Sequence, residues 1–192
     1  MSNIAKRAVT DPIRLVVGVA AALLAWSTTA ADTSPIRSID VTKDSDAYVA
    51  DIVMFAPVPT AIAWAVLTDF DHMANWVPNV RESKIVSSDG NVLTIEQQGV
   101  AKFGLAQFPY TSVRQMTLDP ENSVRAKQTK GSMKRLESVM NVSSEGNGTR
   151  LNYHLELVPS GLAATVMSKE FLQHEMTEQF TAIVQEMVRR SR

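Results

Sequence analysis

Arg150-Leu151-Asn152-Tyr153-His154-Leu155-Glu156-Leu157 is the stretch that decides the fold. Leu151, Tyr153, Leu155 and Leu157 alternate with Arg150, Asn152, His154 and Glu156. Successive strand side chains point to opposite faces, so this segment predicts a strand with one apolar and one polar face. The apolar face of the sheet it belongs to must be covered. A cover is available at the C-terminus, where Val166, Leu172, Met176, Phe180, Ile183, Val184 and Met187 recur at helical spacing. They predict one long helix from Met167 to Arg189, with Lys169, Glu170, Glu175, Glu178 and Glu186 on its remaining surface. Acidic residues early and Arg189, Arg190 and Arg192 late suit its dipole.

Upstream of residue 150 the punctuation is that of short antiparallel strands. Asn147-Gly148 and Asp89-Gly90 are hairpin signals. Asp119-Pro120-Glu121-Asn122 separates residues 112–118 from 123–129, and Lys130-Gly131 leads to a strand over 133–142. Tyr48–Phe55 reads as a first strand, stopped by Pro57 and Pro59. Pro59 suits the first turn of a helix, because its missing N–H is no loss there. Ile62, Val66 and Phe70 then mark one apolar helical face, and a second short helix ends before Pro78. The order is strand, two short helices, about six strands, one long helix. This predicts an α+β fold, a curved antiparallel sheet of about seven strands wrapped around the long helix. A sheet curled in this way opens a cavity beneath the helix, where small ligands bind.

The N-terminus reads as a secretory signal over residues 1–31. Lys6, Arg7 and Arg14 precede an unbroken apolar run from Leu15 to Trp26, and small residues follow at Thr28, Thr29, Ala30 and Ala31. The run is shorter than the roughly 20 residues of a membrane span; an uncleaved anchor is the alternative. Cleavage would take the formal charge from −1 to −3. Residues 32–46 are polar, carry Pro35 and read as a linker, leaving 47–192 as the domain. The expected location is the periplasm.

Composition removes several functions. Of the 192 residues, 45% are hydrophobic and 20% charged, which argues for a globular core. A net charge of −1 gives no field to gather phosphates, so no nucleic-acid partner is expected. Cysteine is absent, and the three histidines, His72, His154 and His174, lack compact metal spacing. No metal site, cofactor or catalytic set is expected. Glu96, Arg125, Glu137, Asn141 and His154 are the polar candidates for catalysis. His154 shares the polar face of its strand, and Glu137 lies near Arg135, so solvent is the simpler account for both.

The chain resembles the START-like polyketide cyclase and lipid-transfer superfamily, the helix-grip fold, and within it the coenzyme Q-binding branch. The resemblance rests on Ala56-Pro57-Val58-Pro59, on Ile62-Ala63-Trp64-Ala65-Val66-Leu67-Thr68-Asp69-Phe70, and on Asn75-Trp76-Val77-Pro78. Ala63-Trp64 stands where the family has valine-tryptophan. The element order matches over residues 47–189. The resemblance implies binding of a lipid, quinone or similar molecule in a cavity. It does not fix the cargo, and a minority of members catalyse.

Candidate lining residues come from each wall. On the helix they are Phe171, Leu172, Met176 and Phe180. Tyr153 and Leu155 lie on the apolar face of the diagnostic strand. Met116 and Met140 stand out in a chain rich in adaptable methionines, though ordinary core filling explains them too. Trp76, beside Pro78, is placed at the pocket mouth, whereas Trp64 and Phe70 read as glue between helices and sheet. Phe103, Phe108, Pro109 and Tyr110, with Gly99 and Gly104 nearby, lack clean alternation and could bend over the mouth as a lid; an irregular strand edge with incidental aromatics is the simpler account. Lys127, Lys130, Lys134 and Arg135 cluster around a turn that could touch anionic headgroups in transient membrane contact; a solvated turn is the simpler account. The leading reading is a non-catalytic carrier of a hydrophobic molecule. A cyclase would instead need a buried, inward-facing ionisable residue. An interaction module would need a filled core and an exposed apolar patch. Oligomeric state is not readable.

Overall fold

The computed structural model describes residues 34–192 apart from 104 and 105, and leaves out the side chains of 103 and 106. The leader reading of residues 1–31 lies outside the described residues. Eight antiparallel strands form one sheet in the order β1-β2-β8-β7-β6-β5-β4-β3. The strands are β1 Ile36–Asp44, β2 Ala47–Ala56, β3 Val80–Asp89, β4 Val92–Phe103, β5 Ala106–Asp119, β6 Ser123–Gly131, β7 Met133–Glu145 and β8 Gly148–Pro159. Helix α1 (Thr60–Leu67) and a 3₁₀ turn (Phe70–Asn75) link β2 to β3, and α2 (Leu162–Val166) and α3 (Lys169–Arg190) follow β8.

The expected α+β fold is present, with two differences in the sheet. It has eight strands where about seven were expected. The added strand is β1, which occupies most of the presumed linker. It escapes recognition because it is a polar edge strand whose alternation is broken by a register shift between Ile36 and Ser38. The segment read as a lid or an irregular strand edge is regular strand: Gly99 pairs Tyr110, Ala101 pairs Phe108 and Phe103 pairs Ala106, so β4 and β5 extend as a hairpin. Pro109 is tolerated because β6 stops alongside Ser112, leaving that end of β5 unpaired on its other side.

Two hairpin loops share one chemistry. Gly90-Asn91 joins β3 to β4 and Gly146-Asn147 joins β7 to β8. Each begins with a glycine at positive φ, +55° and +56°. That is where a two-residue hairpin loop needs glycine. The second loop is therefore one residue earlier than the Asn147-Gly148 signal suggests. At the Ala56–Pro59 turn, the buried Thr149 hydroxyl donates to the Val58 carbonyl at 2.7 Å. Ser168 caps α3, its hydroxyl accepting from the Phe171 N–H at 3.1 Å.

Along β2, Tyr48, Ala50, Ile52, Met54 and Ala56 are all buried; opposite them Leu151, Leu155 and Leu157 of β8 are buried too. This is the apolar face that α3 covers with Leu172, Phe180, Ile183, Val184 and Met187. Two residues expected on the polar side of the helix, Glu175 and Glu186, are buried instead. Glu186 accepts from Arg189 Nε at 2.6 Å and Arg190 Nε at 2.7 Å, and Arg190 reaches Asp69 Oδ2 at 2.6 Å. The helix end is thereby fixed to the start of the 3₁₀ turn.

The Arg189 hydrogen bond, followed by that of Arg190, outweighs burial and pulls the Glu186 carboxyl from 4.5 to about 2. A carboxyl lowered on folding contributes its stability above its unfolded value and loses it as pH falls through the folded one. Melting temperature should therefore drop between about pH 4.5 and pH 2. In Glu186→Gln that fall should be shallower and start from a lower plateau, as a thermal melt series would show.

Candidate functional site

Between the β4–β5 hairpin and the α2–α3 corner lies an apolar cavity of about 340 Å³. That is at the small end of ligand-pocket size. Ala101, Phe108 and Tyr110 form one wall, Met133 and Ser160 the floor of the corner, and Val166, Met167 and Phe171 the other wall. Phe108 meets Phe171 edge-on at 5.7 Å and 84°. The Tyr48 hydroxyl donates to the Met167 carbonyl at 2.7 Å, tying the corner to β2. A wider cleft of about 770 Å³ runs along β3–β5, but Asp71, Glu82, Lys84 and Glu96 line it, and it offers a greasy molecule little.

The expected lining residues separate into groups. Phe108, Tyr110 and Phe171 meet at the cavity. Leu155 and Leu172 are buried together beside Tyr48, while Met116, Met140 and Phe180 are buried in the cluster under the second half of α3. Tyr153 and Met176 touch both clusters, and the Tyr153 ring lies 4.7 Å from that of Phe180. Trp76 is not at the mouth. It packs on the core near the C-terminal end of α3, its ring 6.0 Å from the Arg190 guanidinium. At 1.5 Å rise per residue, that end is about 30 Å from Phe171. The side chain of Phe103 lies outside the described residues.

The catalytic candidates do not converge. Glu96, Arg125 and Asn141 are exposed, and Glu137 pairs with Lys127 at 3.2 Å. His154 bonds Asp51 at 2.7 Å, and that bond raises its pKa. Of the basic cluster, Lys127, Lys134 and Arg135 are each in ion pairs. The exposed large apolar side chains among the described residues are Val86 and Leu162, on separate elements, which gives an interaction patch little support.

What the sequence reading missed is polar and interior. Gln97, Ser112 and Arg114 share the inward face of β4 and β5 with Ile95 and Met116. Arg114 donates to Gln97 Oε1, and Gln97 Nε2 donates to Ser83 Oγ at 2.9 Å. Ser112 donates to Gln128 Oε1 at 3.2 Å. Burial pushes the Tyr110 hydroxyl up to about 12 and raises that of Tyr153, while it lowers Arg114. Arg114 and Tyr153 nevertheless keep accessible surface, as do the inward-facing Gln128, Leu136, Ser138 and Met176. Groups that are deeply desolvated yet not fully covered border interior space. These side chains are thus only partly covered by α3.

Glu175 closes the mouth end. Its Oε1 accepts from the Lys102 N–H and its Oε2 from Asn79 Nδ2, each at 2.9 Å. The Asn79 carbonyl accepts from the Val100 N–H at 3.0 Å, and a Cβ on residue 99 would lie 1.9 Å from it. Only glycine at 99 allows this approach.

The profile of the polyketide cyclase / dehydrase and lipid transport family matches residues 50–188. The chain belongs to that family. Among solved structures, it is similar to the Zhui aromatase/cyclase from Streptomyces sp. R1128, with a TM-score of 0.65 and 16% identity over 76% of this chain and 96% of that one. It is also similar to a STAR-related lipid transfer protein from Xanthomonas axonopodis, with 0.62 and 12% over 78% and 98%. A START superfamily protein from Mycobacterium smegmatis gives 0.58 and 10% over 74% and 96%. At these identities the likeness shows the fold, START or Bet v 1-like helix-grip. No curated protein sequence matches the chain.

Removing the Glu175 carboxylate would leave the Lys102 N–H and the Asn79 amide unpaired. In Glu175→Ala, amide hydrogen exchange over residues 99–110 should quicken at least tenfold, while the β2–β8 amides keep their protection.

Proposed function

We propose that this member of the family is a non-catalytic binder or carrier of a hydrophobic small molecule of the lipid or quinone class, working in the periplasm. The observation that carries the reading is the apolar cavity at the α2–α3 corner, together with the incompletely covered interior behind it. An apolar ligand gains roughly 25 cal/mol for each Å² removed from water, so such a space needs few polar contacts to hold it. The family and the fold support hydrophobic binding in general. The quinone and the location rest on the sequence resemblance and the leader.

The interior Arg114 favours a second reading, a cyclase-type enzyme. A guanidinium in a desolvated site can stabilise an oxyanion that develops during carbon–carbon bond formation. The carrier reading is preferred because, among the described residues, no inward-facing base stands free beside Arg114. Among the described residues the buried carboxylates are Glu175 and Glu186, and both are fully engaged. His154 lies on the outer face.

Protein isolated from its host and extracted with organic solvent should yield a lipophile by mass spectrometry. Ala101→Trp, which fills the cavity from β4, should weaken displacement of a hydrophobic dye by at least tenfold with little change in melting temperature. Recovery of no lipophile, and unaltered dye binding in the variant, would remove the carrier reading. The export reading is checked separately. N-terminal sequencing of periplasmic protein should find a start between residues 29 and 33.

A further inference from the structure

The inward face of β5 carries Phe108, Tyr110, Ser112, Arg114 and Met116 in sequence from the mouth inward. At about 3.3 Å per residue, Arg114 lies about 13 Å beyond Tyr110. Its surroundings are unusual for a cation. No carboxylate among the described residues is within ion-pair distance of it, and the groups that influence it electrostatically are Tyr153 and Tyr110. One guanidinium nitrogen bonds Gln97, while Nε is sealed from solvent with no partner. Gln97 is itself oriented by Ser83, so its oxygen is held toward the arginine. A buried cation without a counter-ion is strongly disfavoured.

We propose that Arg114 is the head-group site of the cavity, and that the cargo is an amphiphile bearing a carboxylate on an apolar tail. This rests on the cavity-binding reading and adds the polar end of the ligand to it. The guanidinium fork matches a carboxylate in geometry and charge. Tyr110 and Tyr153 stay protonated, since burial holds both hydroxyls above their ordinary range. Being uncharged, they do not compete with the anion for the arginine. The tail runs back along β5, past Tyr110, to the apolar cavity between Phe108 and Phe171.

A matched pair of probes tests this, 11-(dansylamino)undecanoic acid and its methyl ester, titrated by fluorescence into the full-length protein. The acid should bind wild type at least tenfold more tightly than the ester. Arg114→Met should abolish that difference. Equal binding of acid and ester by wild type overturns the head-group assignment and leaves the cavity reading standing. So does a preference for the acid that survives in Arg114→Met. If neither probe binds, the cavity reading fails and the proposal with it. The wild-type comparison decides the matter even where Arg114→Met does not fold.

Discussion

The structure depends on the burial of one sheet face by one helix. β2 and β8 present an uninterrupted apolar ladder, Tyr48 to Ala56 against Leu151 to Leu157, and such a ladder is stable only when something removes it from water. α3 does so along its length. Apolar burial supplies the attraction, and polar ties near either end fix its position. Near the C-terminus, Glu186 and Arg190 fix it to Asp69. Near the mouth, Glu175 receives the Lys102 and Asn79 donors. Anchored at both ends, the helix can span the sheet without having to fill all the space beneath it. Dense packing, the usual way to secure a helix, would leave no room for a ligand.

That arrangement was legible in the sequence where period and composition agreed. The Leu151–Leu157 alternation and the stripe from Leu172 to Met187 each match one geometry only, and both elements formed as read. β1 was not legible, since edge strands carry weak alternation and a bulge erased what was left. The hairpin near Pro109 is only partly legible, as an irregular strand edge, because glycine there serves close approach: Gly99 lets the Asn79 carbonyl come near. Glu175 and Glu186 were assigned to solvent by their charge. Glu175 is buried and paired by partners distant in sequence, whereas Glu186 is paired by Arg189 and Arg190 of its own helix.

The candidate site divides in the same way. Phe108 and Tyr110 are legible as aromatics in a glycine-flanked stretch without clean alternation, and Phe171 as a residue of the helix that forms one wall. Arg114 is not legible. In Ser112-Val113-Arg114-Gln115-Met116 the apolar residues fall on opposite faces, Val113 outward and Met116 inward, so alternation gives no direction. The register decides it, by pairing Arg114 with the buried Ile95.

The interior is thus a compromise between two costs. Without a ligand, the apolar lining of the cavity of about 340 Å³ forfeits packing contacts that a closed core would make. Water entering from the mouth relieves part of this, but water gains little against Phe108 and Phe171. Arg114 adds a second cost, a charge withdrawn from solvent with one nitrogen unpartnered. A purely structural core would shed both, by closing over the void and replacing the arginine with a residue shaped like its apolar neighbours. Both costs are relieved together by one kind of molecule, apolar along most of its length and charged or strongly polar at one end. Void and cation lie on the same face of the same strand, which makes two separate structural accidents the less economical explanation.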